Sequence, residues 1–551
     1  MQELKPSAAN MSPFTPLGFL ERAAAIYGRC VSVMYNKTNY TWSETHDRCL
    51  RIASDLSRIG IGRYDVVSVL APNVPAMYEL HFAVPMTGAI LNTINTRLDA
   101  KTISILLQHS GSKLVFVDCL LKSLALEAIA LFPSNQVKPK LILITDEYES
   151  EENNALMTPF CMRYEDMVCK GEPDFEMIWP ESEWDPIVLN YTSGTTSAPK
   201  GVVLSHRSVL TLTMDLLVEW SVPKRPIYLW TLPMFHCNGW CFTWGVAAVG
   251  GTNICVRKFD AAAIYNLIEK HGVTHLCGAP VVLNMLSNSS QEVIKPLQKP
   301  VQVMTAGAPP PAAMLHHIES LGFFVTHGYG LTETGGPTVT CAWKPEWNRL
   351  STEKKAKLKA RQGVRTLLLT EVNVVNPVTG VAVPRDGATV GEVVLRGSSL
   401  MLGYYKDAES TARAMSNGWF FSGDVGVMHA NGYLEIKDRS KDVIISGGEN
   451  ISSVEVESVL FTHPSVNEAA VVARLDEFWG ETPCAFVGFK CGVRSCEPSD
   501  KELIEYCRER MPHYMVPKTV VFMEELPKTS TGKVKKYLLR ELAKELSRKK
   551  N

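Results

Sequence analysis

Short apolar runs between helix signals constrain the fold of this chain more than any other feature. The runs are DVVSVL (65–70), KLVFV (113–117), IVLN (187–190), THLCGAP (274–280) and VQVMTAG (301–307). Strands that are apolar on both faces are typical of a mainly parallel sheet covered by helices on both sides. The sequence therefore predicts an α/β fold, with ligands bound in the loops beyond the carboxyl ends of the strands.

Helix signals separate these runs. Thr41 and Glu44 form a capping box that predicts a helix ending near Gly60. Further helices are predicted to begin near Pro75 and Asp99. The alternation of strands and helices supports the α/β prediction.

The chain has 551 residues, which is too long for one hydrophobic core. From about Asp438 onward, the sequence has its own α+β pattern, long enough for a small independent domain. We therefore predict two domains, a large N-terminal domain over 1–437 and a small mobile C-terminal domain over 438–551. The charged run 344–363 is expected to be a solvated excursion rather than a nucleic-acid-binding patch.

Net charge, the terminal sequences and the cysteines limit which partners and which cellular compartment we expect. A net charge of −1 gives no general attraction to nucleic acid or to anionic membranes. The polar, proline-broken N-terminus is neither a signal peptide nor a membrane span, and the chain lacks a C-terminal S-K-L tripeptide. Scattered cysteines fit free thiols in a reducing compartment and no zinc site. We expect cytoplasmic rather than peroxisomal residence, no integral membrane segment and no obligatory protein partner.

The stretch YTSGTTSAPKG (191–201) combines hydroxyls, glycines and one lysine directly after an apolar strand. Glycines let the backbone approach phosphate oxygens, hydroxyls donate hydrogen bonds, and Lys200 supplies a positive charge. A Walker-type P-loop is disfavoured, because Pro199 replaces the second glycine of that pattern and Gly201 follows the lysine. A nucleotide-phosphate loop and a plain Ser/Thr/Gly-rich surface linker both stay open from this stretch alone.

Four further stretches follow in the order typical of one family: LPMFHCNGW (232–240), GYGLTET (328–334), WFFSGDVG (419–426) with KDRSKDVIISGGENIS (437–452), and PKTSTGKVKK (527–536). With the first, they resemble the adenylate-forming superfamily of acyl-CoA synthetases and 4-coumarate:CoA ligases. Within it, the chain is most similar to plant acyl-activating enzymes. The resemblance covers about 15–540 and implies a large adenylate-forming domain of layered sheets and helices followed by the small mobile domain.

The resemblance implies an acid:CoA ligase (AMP-forming). ATP and a carboxylate would give an acyl-AMP intermediate, and coenzyme A would then displace AMP to form a thioester. The substrates are thus a small carboxylic acid, ATP and CoA, with Mg²⁺ as the cofactor. A short- or medium-chain aliphatic acid is the first expectation, and a benzoate- or cinnamate-type acid is the alternative. The sequence also leaves open an adenylation domain serving a carrier protein and a non-catalytic acyl-CoA- or nucleotide-binding homologue.

The resemblance also implies the residues that handle ATP. The phosphate loop would contribute Thr192, Ser193, Gly194, Thr195, Thr196 and Lys200, Thr332 would contact the phosphates, and Glu333 would bind Mg²⁺. Tyr329 would stack on adenine, while Asp424 and Arg439 would bind the ribose. Backbone beside the nucleotide is expected from Ala306, Gly307, Ala308, Pro309, Gly328 and Gly330.

Other residues are implied to act at the carboxylate and at CoA. His236 would lie between the phosphates and the acyl pocket, with Phe235 and Trp240 among the pocket walls. Lys533 would stabilise charge on the α-phosphate during adenylation. The small domain would then rotate about Lys441, and CoA would pass along Ser446, Gly447 and Gly448.

Overall fold

The computed structural model of the protein describes residues 7, 9–146, 159–192, 199–490, 498–529 and 532–548. Its strands are β1 Val31–Tyr35, β2 Thr38–Thr41, β3 Val66–Leu70, β4 Ile90–Thr93, β5 Leu114–Asp118, β6 Lys140–Ile144, β7 Met162–Arg163, β8 Pro186–Thr192, β9 Lys200–Ser205, β10 Ile227–Leu229, β11 Thr252–Ile254, β12 His275–Gly278, β13 Val301–Thr305, β14 Phe323–Leu331, β15 Gly336–Thr340, β16 Val364–Arg365, β17 Glu371–Val375, β18 Gly391–Arg396, β19 Gly403–Tyr404, β20 Met415–Ser416, β21 Trp419–Met428, β22 Leu434–Arg439, β23 Ile444–Ser446, β24 Glu449–Ile451, β25 Val466–Asp476, β26 Gly480–Phe489 and β27 Thr519–Phe522.

The helices in the same residues are α1 Gly18–Tyr27, α2 Trp42–Arg58, α3 Pro75–Ala83, α4 Ala100–Ser110, α5 Lys122–Ala130, α6 Tyr164–Lys170, α7 His206–Glu219, α8 Cys237–Trp240, α9 Phe242–Ala248, α10 Ala261–His271, α11 Pro280–Ser287, α12 Ala312–Ser320, α13 Thr352–Lys359, α14 Ala408–Ala414, α15 Ser453–Leu460, α16 Asp500–Arg508 and α17 Lys536–Arg548. No helix in this described part has the length and apolar character needed to cross a bilayer.

The predicted apolar runs form the centres of two sheets. One sheet has the order β19-β9-β8-β4-β3-β5-β6-β7, and its strands from β8 to β7 pair in parallel. The other has the order β16-β15-β14-β13-β12-β10-β11-β1-β2, and it is parallel from β14 to β1. Antiparallel strands close both edges of the second sheet and the β19 edge of the first. The α/β prediction is confirmed.

Helices cover both faces of the first sheet, as the continuous apolar runs predicted. Val67 and Val69 of β3 pack into a large core that also contains Tyr228 of β10, in the second sheet, and the nearby Trp230. Leu70, at the end of the same strand, packs into a separate core under α4 and α5. Because alternate side chains of a strand point to opposite faces, this division follows from the two-sided burial of β3.

Local signals located the predicted helices well. The Thr41 side chain accepts a hydrogen bond from the backbone N–H of Glu44, and the Glu44 side chain accepts one from the backbone N–H of Thr41, so the capping box is formed. The Asp99 side chain caps α4 by accepting a hydrogen bond from the Thr102 backbone N–H, and α3 begins at Pro75. These contacts lie within one helical turn, which is why sequence alone could find them.

The charged run 344–363 is less solvated than expected. Trp347 is buried in a small cluster with Tyr433 and Cys341, and Lys359 is buried beside Glu319. The expectation of a solvated excursion was wrong for this side of the segment, because Trp347 packs against the large domain and the Lys359 charge is paired with Glu319.

Two smaller sheets follow along the chain. Strands β17, β18, β20, β21 and β22 form an antiparallel sheet, and β22 carries the predicted domain boundary at residue 438. Strands β23 to β27 form the last sheet, packed with α15, α16 and α17 around their own apolar clusters. The segment after residue 438 thus has an α+β core of its own.

Candidate active site

The predicted phosphate loop connects β8 to β9. Thr192 and Lys200 face each other across this antiparallel pair, and the Thr192 hydroxyl donates to the Lys200 carbonyl oxygen at 3.5 Å. The predicted residues Ser193, Gly194, Thr195 and Thr196 lie outside the described residues. The two described members therefore mark where the loop leaves and re-enters the sheet.

Thr332 and Glu333 lie in a short 3-10 turn, Thr332–Thr334, between β14 and β15. The Tyr404 hydroxyl donates a hydrogen bond to Glu333 Oε1 at 2.9 Å. The Lys200 ammonium lies over the Tyr404 ring, 4.5 Å from its centroid. The sequence analysis missed Tyr404, although the doubled tyrosine of GYY (403–405) was a visible signal.

Tyr329, Asp424 and Arg439 form one chain of polar contacts. The Tyr329 hydroxyl donates to Asp424 Oδ2 at 2.6 Å, and Arg439 Nε lies 2.8 Å from Asp424 Oδ1. Asp424 and Arg439 are direct partners in the register of β21 and β22. Burial and the charge of Asp424 hold the pKa of Tyr329 well above its usual value, so its hydroxyl stays protonated and can donate.

The predicted adenine-binding backbone, residues 306–309, directly follows the carboxyl end of β13. Gly307 has φ +91°, in the left-handed region that favours glycine. Gly328 and Gly330 lie in β14, beside the antiparallel strand β15. A Cβ atom at Gly330 would lie 1.9 Å from the Gly336 carbonyl oxygen, so only glycine fits there.

The loop before α17 brings Lys533 to this backbone. A Cβ atom at Gly307 would lie 3.1 Å from Lys533 Cε, so the lysine side chain passes directly over that glycine. A Cβ atom at Gly532 would lie 2.3 Å from Val281 Cγ1, which shows how closely the loop packs on α11. Beside this contact, Asn284 Nδ2 donates to Asn467 Oδ1 at 3.2 Å. The predicted small domain thus contacts the large one at the site.

Burial and neighbouring charges set the protonation of Lys533 and His236. Burial, with the positive charge of Arg439, lowers the pKa of Lys533 to about 8, while Asp424 and Glu333 oppose the shift. Burial and the charge of Lys533 lower the pKa of His236 to about 3. His236 is therefore neutral at physiological pH, and Lys533 is the group whose charge responds to mildly alkaline pH.

His236 precedes a turn of unusual backbone conformation. Cys237, Asn238, Gly239, Trp240 and Cys241 all have positive φ angles, between 39° and 62°. Asn190 Nδ2 donates to Asn238 Oδ1 at 2.5 Å, and a Cβ atom at Gly239 would lie 2.5 Å from Trp230 Cζ3. The sequence analysis missed Asn238, because its partner lies in a distant strand.

The residues predicted for CoA lie on the small domain. Lys441 follows β22, and partial burial of its ammonium, with the positive charges of Arg439 and Arg540, lowers its pKa. Ser446 and Gly447 lie where β23 turns toward β24, and the Gly447 N–H donates to the Trp479 carbonyl oxygen at 2.8 Å. Gly447 and Gly448 both have positive φ angles, which glycine adopts without strain. Gly447 thus lies beside Trp479, on different elements from the Lys533 loop.

Two protein-family models match this chain. The model of the AMP-binding enzyme family matches residues 20–405, and that of the AMP-binding enzyme C-terminal domain matches 455–533. The chain belongs to the AMP-binding enzyme family. The predicted boundary at 437/438 lies between the two matched ranges and stays a prediction.

Two curated relatives from plants span nearly the whole chain. It is 64% identical over 545 residues to a 2-methylpropanoate–CoA ligase, CCL4, of Humulus lupulus, covering 99% of this chain and 98% of the relative. It is 63% identical over 549 residues to the probable acyl-activating enzyme 5, peroxisomal, of Arabidopsis thaliana, covering 99% of each. The resemblance to plant acyl-activating enzymes is thereby confirmed.

Solved structures share the fold. The anthranilate CoA ligase AuaEII in complex with anthranoyl-AMP has a TM-score of 0.83 at 22% identity, over 98% of this chain and 99% of that one. A Mycobacterium tuberculosis fatty acyl CoA synthetase has a TM-score of 0.69 at 30% identity, over 96% and 98%. The predicted fold of a large layered domain followed by a smaller one is confirmed.

We expect the alkaline pH profile of acyl-adenylate formation to follow the charge of Lys533. The lysine is protonated below its pKa of about 8 and loses its charge above it. Because kcat/KM reports the free enzyme, kcat/KM for pyrophosphate release should fall above pH 8. Lys533→Arg, which stays charged, should retain some activity and lose this alkaline fall. The same fall in both proteins would assign the titration to another group.

Proposed function

We propose that this AMP-forming acid:CoA ligase acts on a short- or medium-chain aliphatic carboxylate. We assign acyl-adenylate formation to this site because Lys533 passes over Gly307 and lies near the carboxylates of Asp424 and Glu333. The identity to a 2-methylpropanoate–CoA ligase over the whole chain supports a small aliphatic acid. The buried side chains of Phe235 and Trp240 beside His236 also favour a small acyl group.

In the first half-reaction, the acid's carboxylate oxygen attacks the α-phosphorus of ATP and pyrophosphate leaves. Two anions must approach each other, so catalysis depends on neutralising charge and aligning the reactants. Lys533 supplies the charge at the carboxylate and α-phosphate, and Thr192, Lys200 and Thr332 supply donors for the other phosphates. Neutral His236 separates these phosphates from the acyl group without adding charge.

The nucleoside of ATP is held by groups that suit it chemically. The Tyr329 ring and the backbone of 306–309 offer flat surfaces to adenine. Asp424 accepts hydrogen bonds from the ribose hydroxyls and Arg439 donates to them. Since Asp424 is almost fully buried and already bound to Tyr329 and Arg439, its carboxylate is fixed before ATP arrives.

Glu333 suits a magnesium ion that accompanies the phosphates. Its carboxylate is a hard oxygen ligand, and its Oε1 atom accepts a hydrogen bond from Tyr404. A bound Mg²⁺ would neutralise phosphate charge. In the part of the chain described, no group of three or more His, Cys, Asp or Glu side chains is arranged to hold a metal ion. Glu333 would therefore share the ion with phosphate oxygens.

In the second half-reaction, the CoA thiol attacks the acyl carbonyl and AMP leaves. Lys533 occupies the approach to that carbonyl, so the small domain, 438–551, rotates about Lys441 to bring Ser446, Gly447 and Gly448 to the large domain, 1–437. This rotation would break the contacts of Gly532 with Val281 and of Asn467 with Asn284. A non-catalytic homologue is disfavoured, because Lys533 and Glu333 are both present.

A panel of acids tests the proposed substrate. We expect the highest kcat/KM for 2-methylpropanoate, butanoate or hexanoate, and lower values for benzoate and cinnamate. A single misfitting methylene changes kcat/KM by about 10–200-fold, so the ranking is measurable. AMP and pyrophosphate should form in step with the thioester. Preference for an aromatic acid would contradict the aliphatic assignment, and formation of ADP would contradict the ligase chemistry itself.

We also propose cytoplasmic residence. The described cysteines are free thiols, as expected in a reducing compartment, although the relative labelled peroxisomal makes the peroxisome a specific alternative. Imaging of an N-terminally tagged chain together with a peroxisomal marker should show diffuse cytoplasmic signal. Coincidence with the marker would refute the proposal.

A further inference from the structure

Tyr404 joins two parts of the predicted phosphate site, the Thr332–Thr334 turn and the start of β9. Its hydroxyl donates to Glu333 Oε1 at 2.9 Å, and its ring supports the Lys200 ammonium at 4.5 Å. A carboxylate can only accept hydrogen bonds, so the phenol is the donor in this contact. One side chain therefore touches both the predicted metal carboxylate and the predicted phosphate lysine.

The backbone around Tyr404 is held to the same two elements. Gly403 and Tyr404 pair with Val203 and Val202 of β9, and the Tyr405 N–H donates to the Gly201 carbonyl oxygen at 2.7 Å. On the other side, the Met401 N–H donates to the Glu333 carbonyl oxygen at 2.8 Å. The segment 401–405 thus fixes the distance between the strand of Lys200 and the turn of Glu333.

The hydrogen bond from Tyr404 also fixes the rotation of the Glu333 carboxylate. With Oε1 held by the phenol, the direction of Oε2 is determined. Partners that hold a metal-binding carboxylate in this way typically contribute about 10–100-fold to metal affinity or activity. A cation over an aromatic ring contributes a further, smaller attraction that restricts Lys200.

We propose that Tyr404 is a positioning residue for adenylation, which orients Glu333 toward a divalent cation and aligns Lys200 with the ATP phosphates. This inference rests on the proposed function of the site. Tyr404 acts through these two side chains and does not itself touch the reacting atoms. Its contribution is confined to the first half-reaction, because the second transfers an acyl group after pyrophosphate has left.

Tyr404→Phe in the full chain tests the proposal. This variant removes the hydroxyl and keeps the ring, whereas an alanine would enlarge a cavity of about 410 Å³ that the ring borders. Mn²⁺ affinity, measured by electron paramagnetic resonance with α,β-methylene-ATP present, should weaken by about 10-fold. Thioester formation from preformed acyl-adenylate and CoA should stay within a few-fold of the unsubstituted enzyme.

Tyr405→Phe is the matched control. The Tyr405 ring contacts His109 and Lys406. The hydrogen bond to the Glu333 carboxylate comes from Tyr404, so removing the Tyr405 hydroxyl leaves that bond in place. The control should leave Mn²⁺ affinity and both half-reactions unchanged. Unchanged Mn²⁺ affinity in Tyr404→Phe, or equal loss of both half-reactions, would overturn the proposal. If the unsubstituted enzyme formed no thioester with any acid, the proposed function would fail instead, so the two failures are distinguishable.

Discussion

The cation of Lys533, held above Gly307 near two carboxylates, is the interaction on which the rest of the site depends. Its contact with the large domain requires the bare backbone of Gly307 below and of Gly532 beside Val281. Burial lowers the pKa of His236, and the charge of Lys533 adds to this shift, so His236 is neutral. A lysine buried in this way is costly unless an anion neutralises it, so the site favours a bound phosphate and carboxylate in this orientation.

The same dependence explains why the lysine is delivered by a separate domain. A cation fixed permanently at the acyl carbonyl would block the thiol that must reach the same carbon. The small domain has its own apolar cores, so it can leave the large domain without exposing them. The residues before Lys441 meanwhile keep the nucleotide groups together, because Asp424 pairs with Arg439 across β21 and β22 and accepts a hydrogen bond from Tyr329.

Sequence could predict the features set by short-range chemistry or by family motifs. The cap at Thr41 and the parallel sheets followed from local patterns. Tyr404 and Asn238 were missed because their partners, Glu333 and Asn190, are distant in the chain and meet them only in the folded protein. The prediction that the run 344–363 is solvated was wrong because most of its residues are charged or polar, whereas Trp347 within it is buried. Strand register and side-chain contacts across domains carry no local signal.

The most direct test of this account is to measure the two half-reactions separately in Lys533→Ala. Pyrophosphate release from ATP and acid should fall by about 10²–10³-fold, the usual effect of removing one charge-stabilising donor. Thioester formation from preformed acyl-adenylate and CoA should stay within a few-fold of the unsubstituted enzyme. Lys441→Pro, which stiffens the proposed hinge, should show the reverse pattern. Equal loss of both steps in Lys533→Ala would mean that one fixed site performs both, and would contradict the account.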